Sequence, residues 1–323
     1  MFRYKHPQKT FQIYKIKIGG QPGEHPTALI GSIFYKGHKI VKDEEEGIFD
    51  KETAEKLIKR QEELSDKFGN PGILDVVVPS IKAAEKYIDF VAKVTDSAFI
   101  YDAWPIEVRI KGLKHIVEAG LTDRIIYNSV SPLITEDEIN AIKESKIKSA
   151  IVFSWNYGYP WVEGLLSVLK GEPGKKGLLE IAREVGIEKI MVDILAGGTV
   201  PAAGVSCNAV RTIKDETGLP AGYGPANATT GWIECKKWGK DIYKACEAAI
   251  HAASVFSGAN FLFYARIESA DHIFPAVAAV DAMVATMCME QGIQPVKEHP
   301  LYKLFPDVVK KIRRIPPKAL VPS

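Results

Sequence analysis

Followed for its alternation of apolar and polar positions, the chain repeats one unit, a short run suited to a buried strand and then a longer stretch of helical period. The strand runs are "ALIGSIF" (28–34), "GILDVVV" (72–78), "AFIYD" (98–102), "RIIYN" (124–128), "SAIVFS" (149–154), "KIMVDI" (189–194), "LPAGYG" (219–224) and "NFLFYA" (260–265). Between them lie helical stretches such as "DKETAEKLIKRQEELSDKFG" (50–69), which sets Leu57, Leu64 and Phe68 on one face and meets a stop signal at Gly69 and Pro71. Thr135 followed by Glu138 reads as a capping box opening the helix through Ile139 and Ile142.

Strands apolar on both faces and joined by helices require a parallel sheet covered on both sides. Eight such units in 323 residues predict a closed (β/α)8 TIM barrel as one domain spanning 1–323. A doubly wound open sheet is the competing architecture, disfavoured because no G-x-G-x-x-G follows the first strand run. Ahead of the barrel, "TFQIYKIKI" (10–18) alternates and predicts a surface hairpin or edge strand within an N-terminal β extension, 1–20. "KGEPGKKG" (170–177) reads as a mobile loop.

Composition narrows the partners. The chain is 46% apolar and has 42 Lys+Arg against 40 Asp+Glu, so its net charge of +2 argues against a general polyanion binder, and nucleic acid is not expected. The start lacks the apolar core of a signal peptide, and no later run is read as approaching the roughly 20 apolar residues that cross a bilayer. A cytoplasmic protein without direct membrane insertion is expected. Cys207, Cys235, Cys246 and Cys288 are scattered without zinc spacing, so reduced thiols and no protein-bound metal are expected.

In such a barrel the chemistry gathers at the C-terminal strand ends. Those ends offer Asp102, Asn128 with Ser129, Asp193, Asn227 in the turn "GYGPANATTGW", and Arg266 with Glu268. No nucleophile with its base stands out, and His251 and His272 read as packed or surface histidines. Asp102 and Asp193 could pair as in glycoside hydrolysis. Asp and Asn together also suit a flat heterocycle: one carboxylate accepts two adjacent donors of a reduced pterin, and an amide supplies both a donor and an acceptor. Each of these residues could instead cap a turn or helix.

The stretch "KIGGQPGEHPTALIGSIFYKGHKIVKDEEEGIFDKETAE" (17–55) resembles the opening of the H subunit of tetrahydromethanopterin S-methyltransferase and of its soluble relatives, the corrinoid-dependent methyltransferases of tetrahydrofolate or tetrahydromethanopterin. The likeness continues through "RIIYNSVS", "KGLLEIAREVGI" and "ARIESADHIFPAVAAVDAM". It implies a pterin-binding barrel that moves methyl between N5 of the pterin and a corrinoid held by a separate small protein. It also implies that Asp102, Asn128 and Asp193 hold the pterin ring and that Gly224 belongs to the site, and the strand-end residues Ser129 and Arg266 are expected beside the ring. "GPAN" (224–227) occupies the place of the family's Gly-x-Ser-Asn turn, with Ala226 where Ser is usual, and puts Asn227 near N5 as the catalytic amide.

The stretches "DAWPIE", "FSWNYGYPW" and "LAGGTVPAAGVSCNAVR" depart from the membrane-complex subunit, so a stand-alone methyltransferase is expected, with that subunit as the alternative. A dihydropteroate synthase-like enzyme and a non-catalytic pterin-binding subunit are further alternatives. Trp104, Trp155, Tyr157, Tyr159 and Trp161 form either a face for the corrinoid protein or a loop core. The apolar stretch 274–289 belongs either to the barrel's outer ring or to a homodimer interface, and the resemblance favours the dimer.

Overall fold

The structure, a computed structural model, describes residues 2 and 4–312. The expected domain extends to 1–323, and its positions 1, 3 and 313–323 lie outside the described residues. Eight parallel strands close into a barrel: β1 (Ala28–Ile33), β2 (Gly72–Val78), β3 (Phe99–Ala103), β4 (Ile125–Val130), β5 (Ser149–Trp155), β6 (Lys189–Leu195), β7 (Ala221–Tyr223) and β8 (Phe261–Arg266). They follow one another around the barrel in chain order, with β8 pairing β1, and each lies within two residues of its expected run. The helices on the outside are α1 (Lys51–Phe68), α2 (Ile81–Val94), α3 (Ile106–Glu118), α4 (Glu136–Ser145), α5 (Val162–Lys170), α6 (Leu178–Glu184), α7 (Val200–Thr217), α8 (Ala226–Gly231), α9 (Ile233–Lys237), α10 (Lys240–Phe256) and α11 (Ala270–Met289).

The period of two along each strand sorts its residues into two cores. On β2, Leu74, Val76 and Val78 face the helices and join the large outer core. Ile73 instead faces the barrel axis, in one cluster with Ile30, Ile100, Ile126, Ile151, Met191 and Phe261. Seven strands thus each send a branched or bulky residue inward and fill the barrel, as a packed core requires. That cluster is the floor on which the next in-facing residues stand.

The N-terminal segment lies elsewhere than expected. Thr10–Ile13 and Ile16–Gly19 pair as an antiparallel hairpin, and its Ile13, Ile16 and Ile18 are buried against the floor cluster. The hairpin is a plug for the N-terminal end of the barrel, because isoleucines at an open end would otherwise meet water. The 170–177 segment forms a short hairpin: Gly171–Glu172 pairs with Lys175–Lys176, and Gly174 at φ 82° makes the reversal that a side chain would strain.

Helix boundaries follow their signals. Asp50 caps α1 through the Thr53 N–H, and Gly69 ends it in the left-handed conformation. Thr135 caps α4 by accepting from the Glu138 N–H at 3.3 Å. The carboxylate of Glu138, however, turns into the protein rather than back to the cap, and is fully buried.

Contrary to the expectation of no membrane-length run, Ile267–Met289 is long and apolar enough to cross a bilayer by length and composition. Its helix, α11, is packed in the outer ring against α10 and α1. Asp281 holds it to the barrel by accepting from the Thr27 N–H (2.9 Å), Thr27 Oγ1 (2.8 Å) and Asn70 Nδ2 (2.6 Å). His251 is buried within α10, and His272 Nε2 lies 2.6 Å from Glu247 Oε2. All four cysteines are unbridged.

Candidate functional site

Two residues beyond the floor, the in-facing positions turn polar on five of these strands, while β5 and β8 present Phe153 and Phe263. Ile30 is followed by Ser32, Ile73 by Asp75, Ile100 by Asp102, Ile126 by Asn128 and Met191 by Asp193. All five line one cavity of about 440 Å³ at the C-terminal mouth, together with Ser129, Phe153, Trp155, Gly224, Asn227, Phe263 and Arg109. The cavity is large enough for a fused bicyclic ring, with apolar walls and a few convergent polar groups.

Of the sequence-predicted residues, Asp102, Asn128, Ser129, Asp193, Gly224 and Asn227 meet here. Arg266 does not. The ladder between β8 and β1 slips between Phe263 and Ala265, where Ala265 has φ 57°, and both of these residues line the cavity while Arg266 is exposed outside it. The bulge breaks the in-out alternation on which a strand-end assignment rests.

Sequence reasoning missed Asp75 and Arg109. Asp75 sits in the middle of an apolar strand run, itself a signal, because a carboxylate there needs a partner. Ser32 Oγ donates to its Oδ2 at 2.6 Å, while Oδ1 is buried without a partner. Arg109, in the first turns of α3, donates from Nε to the Ala103 carbonyl (2.6 Å) and from Nη1 to Glu138 Oε1 (2.9 Å). Tyr127 donates to that same Glu138 oxygen at 2.5 Å.

Three carboxyl groups in one enclosed space cannot all ionise without cost. Burial lifts Asp193 to about 7, opposed by the Ile194 backbone N–H and assisted by Asp75. Burial lifts Asp75 to about 6, opposed by the Ser32 hydroxyl. Asp102 is raised well above the usual range by burial and by Asp75 and Asp193, against the pull of Arg109. Such groups bind a proton or a ligand's donors with little competition from water.

Asn227 stands in the first turn of α8, just after β7, its N–H donating to the Gly224 carbonyl at 3.1 Å. A Cβ at position 224 would come within 3.1 Å of Asn227 Nδ2, so glycine leaves room for the amide. Of the aromatic residues, Trp104 and Trp155 line the mouth; Trp104 is 72% exposed and Tyr157 88%, with Tyr159 and Trp161 also exposed, while Trp155 is half-buried against Phe153.

A family model described as "Tetrahydromethanopterin S-methyltransferase MtrH subunit" matches residues 6–296. The chain is 40% identical over 310 residues to the tetrahydromethanopterin S-methyltransferase H subunit of Methanothermobacter thermautotrophicus, covering 94% of this chain and all of that one. It is 41% identical over 317 residues to the H subunit of Methanopyrus kandleri, covering 93% and 98%. Among solved structures, Yersinia pestis dihydropteroate synthase with a pterine-sulfa conjugate superposes with a TM-score of 0.58 at 9% identity, covering 85% of this chain and 98% of that one. A Coxiella burnetii dihydropteroate synthase in complex with pteroic acid gives 0.53 at 14% identity, covering 79% and 92%. At such identities these structures share the barrel, which is what the comparison carries.

Proposed function

The chain belongs to the methyltransferase family of tetrahydromethanopterin S-methyltransferase MtrH subunits, and from that premise we propose that its mouth binds a reduced pterin of the tetrahydromethanopterin class and presents N5 for methyl transfer. The observation that carries this reading is the convergence of Asp75, Asp102, Asn128 and Asp193 on one cavity above an apolar floor. A pterin edge offers two adjacent donors to a carboxylate and a carbonyl oxygen to an amide N–H. Asp102, Asn128 and Asp193 hold the ring in this proposal, and Asn227 faces N5.

The corrinoid that gives or takes the methyl group is carried by a partner protein and supplies the cobalt chemistry. What this chain contributes is orientation and the handling of one proton. N5 needs a free lone pair to accept methyl and a proton or hydrogen bond to release it. The neutral amide of Asn227 serves both states, since its NH2 donates to the lone pair and its oxygen accepts from N5–H. The exposed Trp104, Tyr157 and Trp161 give the rim an apolar face on which a corrinoid protein can rest.

Between a stand-alone enzyme and the H subunit of the membrane complex, the full-length matches favour the latter. The departures that suggested otherwise include Trp104, Tyr157 and Trp161 on the exposed rim, where side chains change without disturbing barrel or floor.

The reading extends to a homodimer through α10 and α11. Outward positions on α1 are charged, as at Glu55, Lys56, Lys59 and Glu63, which suits a helix facing water. On the neighbouring α10 and α11 the exposed charges Lys240, Asp241 and Asp271 lie in the first turns, and beyond them Ala245, Ala249, Ala253, Ala279 and Met283 are exposed. Small side chains on adjacent helices suit close approach by a second copy about a twofold axis.

The test is methyl transfer by the purified chain from free methylcobalamin to tetrahydromethanopterin and to tetrahydrofolate in parallel. Methylation of the former is expected. Methylation of neither, by protein that is folded, would refute the reading.

A further inference from the structure

Among the described residues, Arg109 is the sole cation lining a cavity that holds three carboxyl groups. Two of its five N–H donors are taken, by the Ala103 carbonyl and by Glu138 Oε1. The first bond ties the guanidinium to the end of β3, one residue beyond Asp102. The second ties it to α4, through a glutamate that is fully buried, also accepts from Tyr127, and leaves Oε2 without a partner. Such a buried glutamate is expensive to maintain for stability alone, because desolvation offsets much of what its ion pair gains.

Resting on the pterin reading above, we propose that Arg109 is a positioning residue whose charge, held in place and partly cancelled by Glu138, sets the pH at which Asp102, the cavity carboxylate it faces, is ready to accept the pterin's donors. The groups facing one another are few. Asp102 on β3 faces Asp75 from β2, Asp193 from β6 and Arg109 from α3. Arg109 faces Tyr127 from β4, Glu138 from α4 and Asp102 from β3. Tyr101 on β3 turns outward and donates to the Val108 carbonyl at 2.5 Å.

The consequence is a pair of shifts of opposite sign. Removing the positive charge (Arg109→Met) makes ionisation of Asp102 harder and moves the rise of pterin affinity to higher pH. Removing the negative charge behind it (Glu138→Gln) leaves Arg109 less neutralised and moves that rise to lower pH. A purely structural network would weaken binding in both variants without separating their pH profiles.

The experiment is calorimetric titration of tetrahydromethanopterin into wild type, Arg109→Met, Arg109→Lys and Glu138→Gln across pH 5 to 9, in two buffers of different ionisation heat to count released protons. Displacement of the midpoint by about one unit in each direction is expected, which is about a tenfold change in affinity on the acid side of the profile, with Arg109→Lys near wild type. Midpoints that coincide in all variants, or move the same way, would overturn the proposal. Should Arg109→Met not fold, Glu138→Gln carries the test by the sign of its shift, against Arg109→Lys held near wild type. Wild type that binds no pterin at any pH would instead remove the pterin reading itself.

Discussion

Asp102 and Asn128 are register partners on the adjacent parallel strands β3 and β4, so a carboxylate and a carboxamide enter the cavity side by side at one height. This pairing supplies two acceptors and a donor along one edge, the pattern a pterin edge complements. Replacing Asn128 by Ala removes one or two hydrogen bonds while leaving the floor residue Ile126 in place. Pterin affinity should fall by about 1 to 2 kcal/mol, roughly five- to thirtyfold. A titration showing undiminished affinity would leave Asn128 a structural residue of the β4 loop.

Binding should strengthen as pH rises through 6 and 7. Asp75 and Asp193 are lifted to about 6 and about 7, so below those values the cavity presents protonated acids, which are poorer acceptors for the pterin's N–H groups. Pterin binding near pH 6.5 should therefore release protons. Calorimetry in buffers of unequal ionisation heat measures this, and uptake of protons would be the opposite of the expectation.

The same groups act on the ligand-free fold with a definite sign. Their folded values lie above the unfolded value of about 3.9. Their contribution to stability is complete below that value and is lost as pH rises through about 6 and about 7. Asp193→Asn removes one of these titrations. Its melting temperature should gain on wild type between pH 5 and pH 8, as followed by thermal unfolding without pterin, and a gap constant with pH would contradict the assignment.

Asn227→Asp keeps the size of the side chain but replaces a two-way amide with an acceptor. A carboxylate beside N5 favours the protonated amine, so methylation of the pterin should slow by about a hundredfold while pterin affinity changes little. Single-turnover assays with saturating methylcobalamin measure it, and full rate in the folded variant would exclude Asn227 from N5.

Met283→Asp places a charge on the exposed alanine and methionine face of α10 and α11, away from the cavity. Analytical ultracentrifugation should show a dimer for wild type and a monomer for the variant. A wild-type monomer would show that this face has another role.

The barrel was legible because its signal is local: each strand run is short, apolar and separated from the next by a helical stretch. Asp102, Asn128 and Asp193 were legible for the same reason, as polar residues closing apolar runs. Asp75 was hidden by lying inside its run, although counting two residues on from Ile73 reaches it. Arg109 was hidden because its meaning depends on Glu138, 29 positions away on another helix and locally indistinguishable from a capping residue. Arg266 was misplaced by the slip beside Ala265, since a bulge leaves no mark in the hydrophobic pattern. The N-terminal hairpin alternates as a surface ribbon would, and only the closed barrel shows what its isoleucines cover.

The most direct measurement is equilibrium titration of the purified chain with tetrahydromethanopterin, wild type beside Asp102→Asn and Asp193→Asn. Saturable uptake of one pterin per chain is predicted, weakened at least about tenfold in each variant by loss of a charged acceptor. No uptake by wild type, or equal uptake by all three proteins, would contradict the placement of the pterin among these carboxylates.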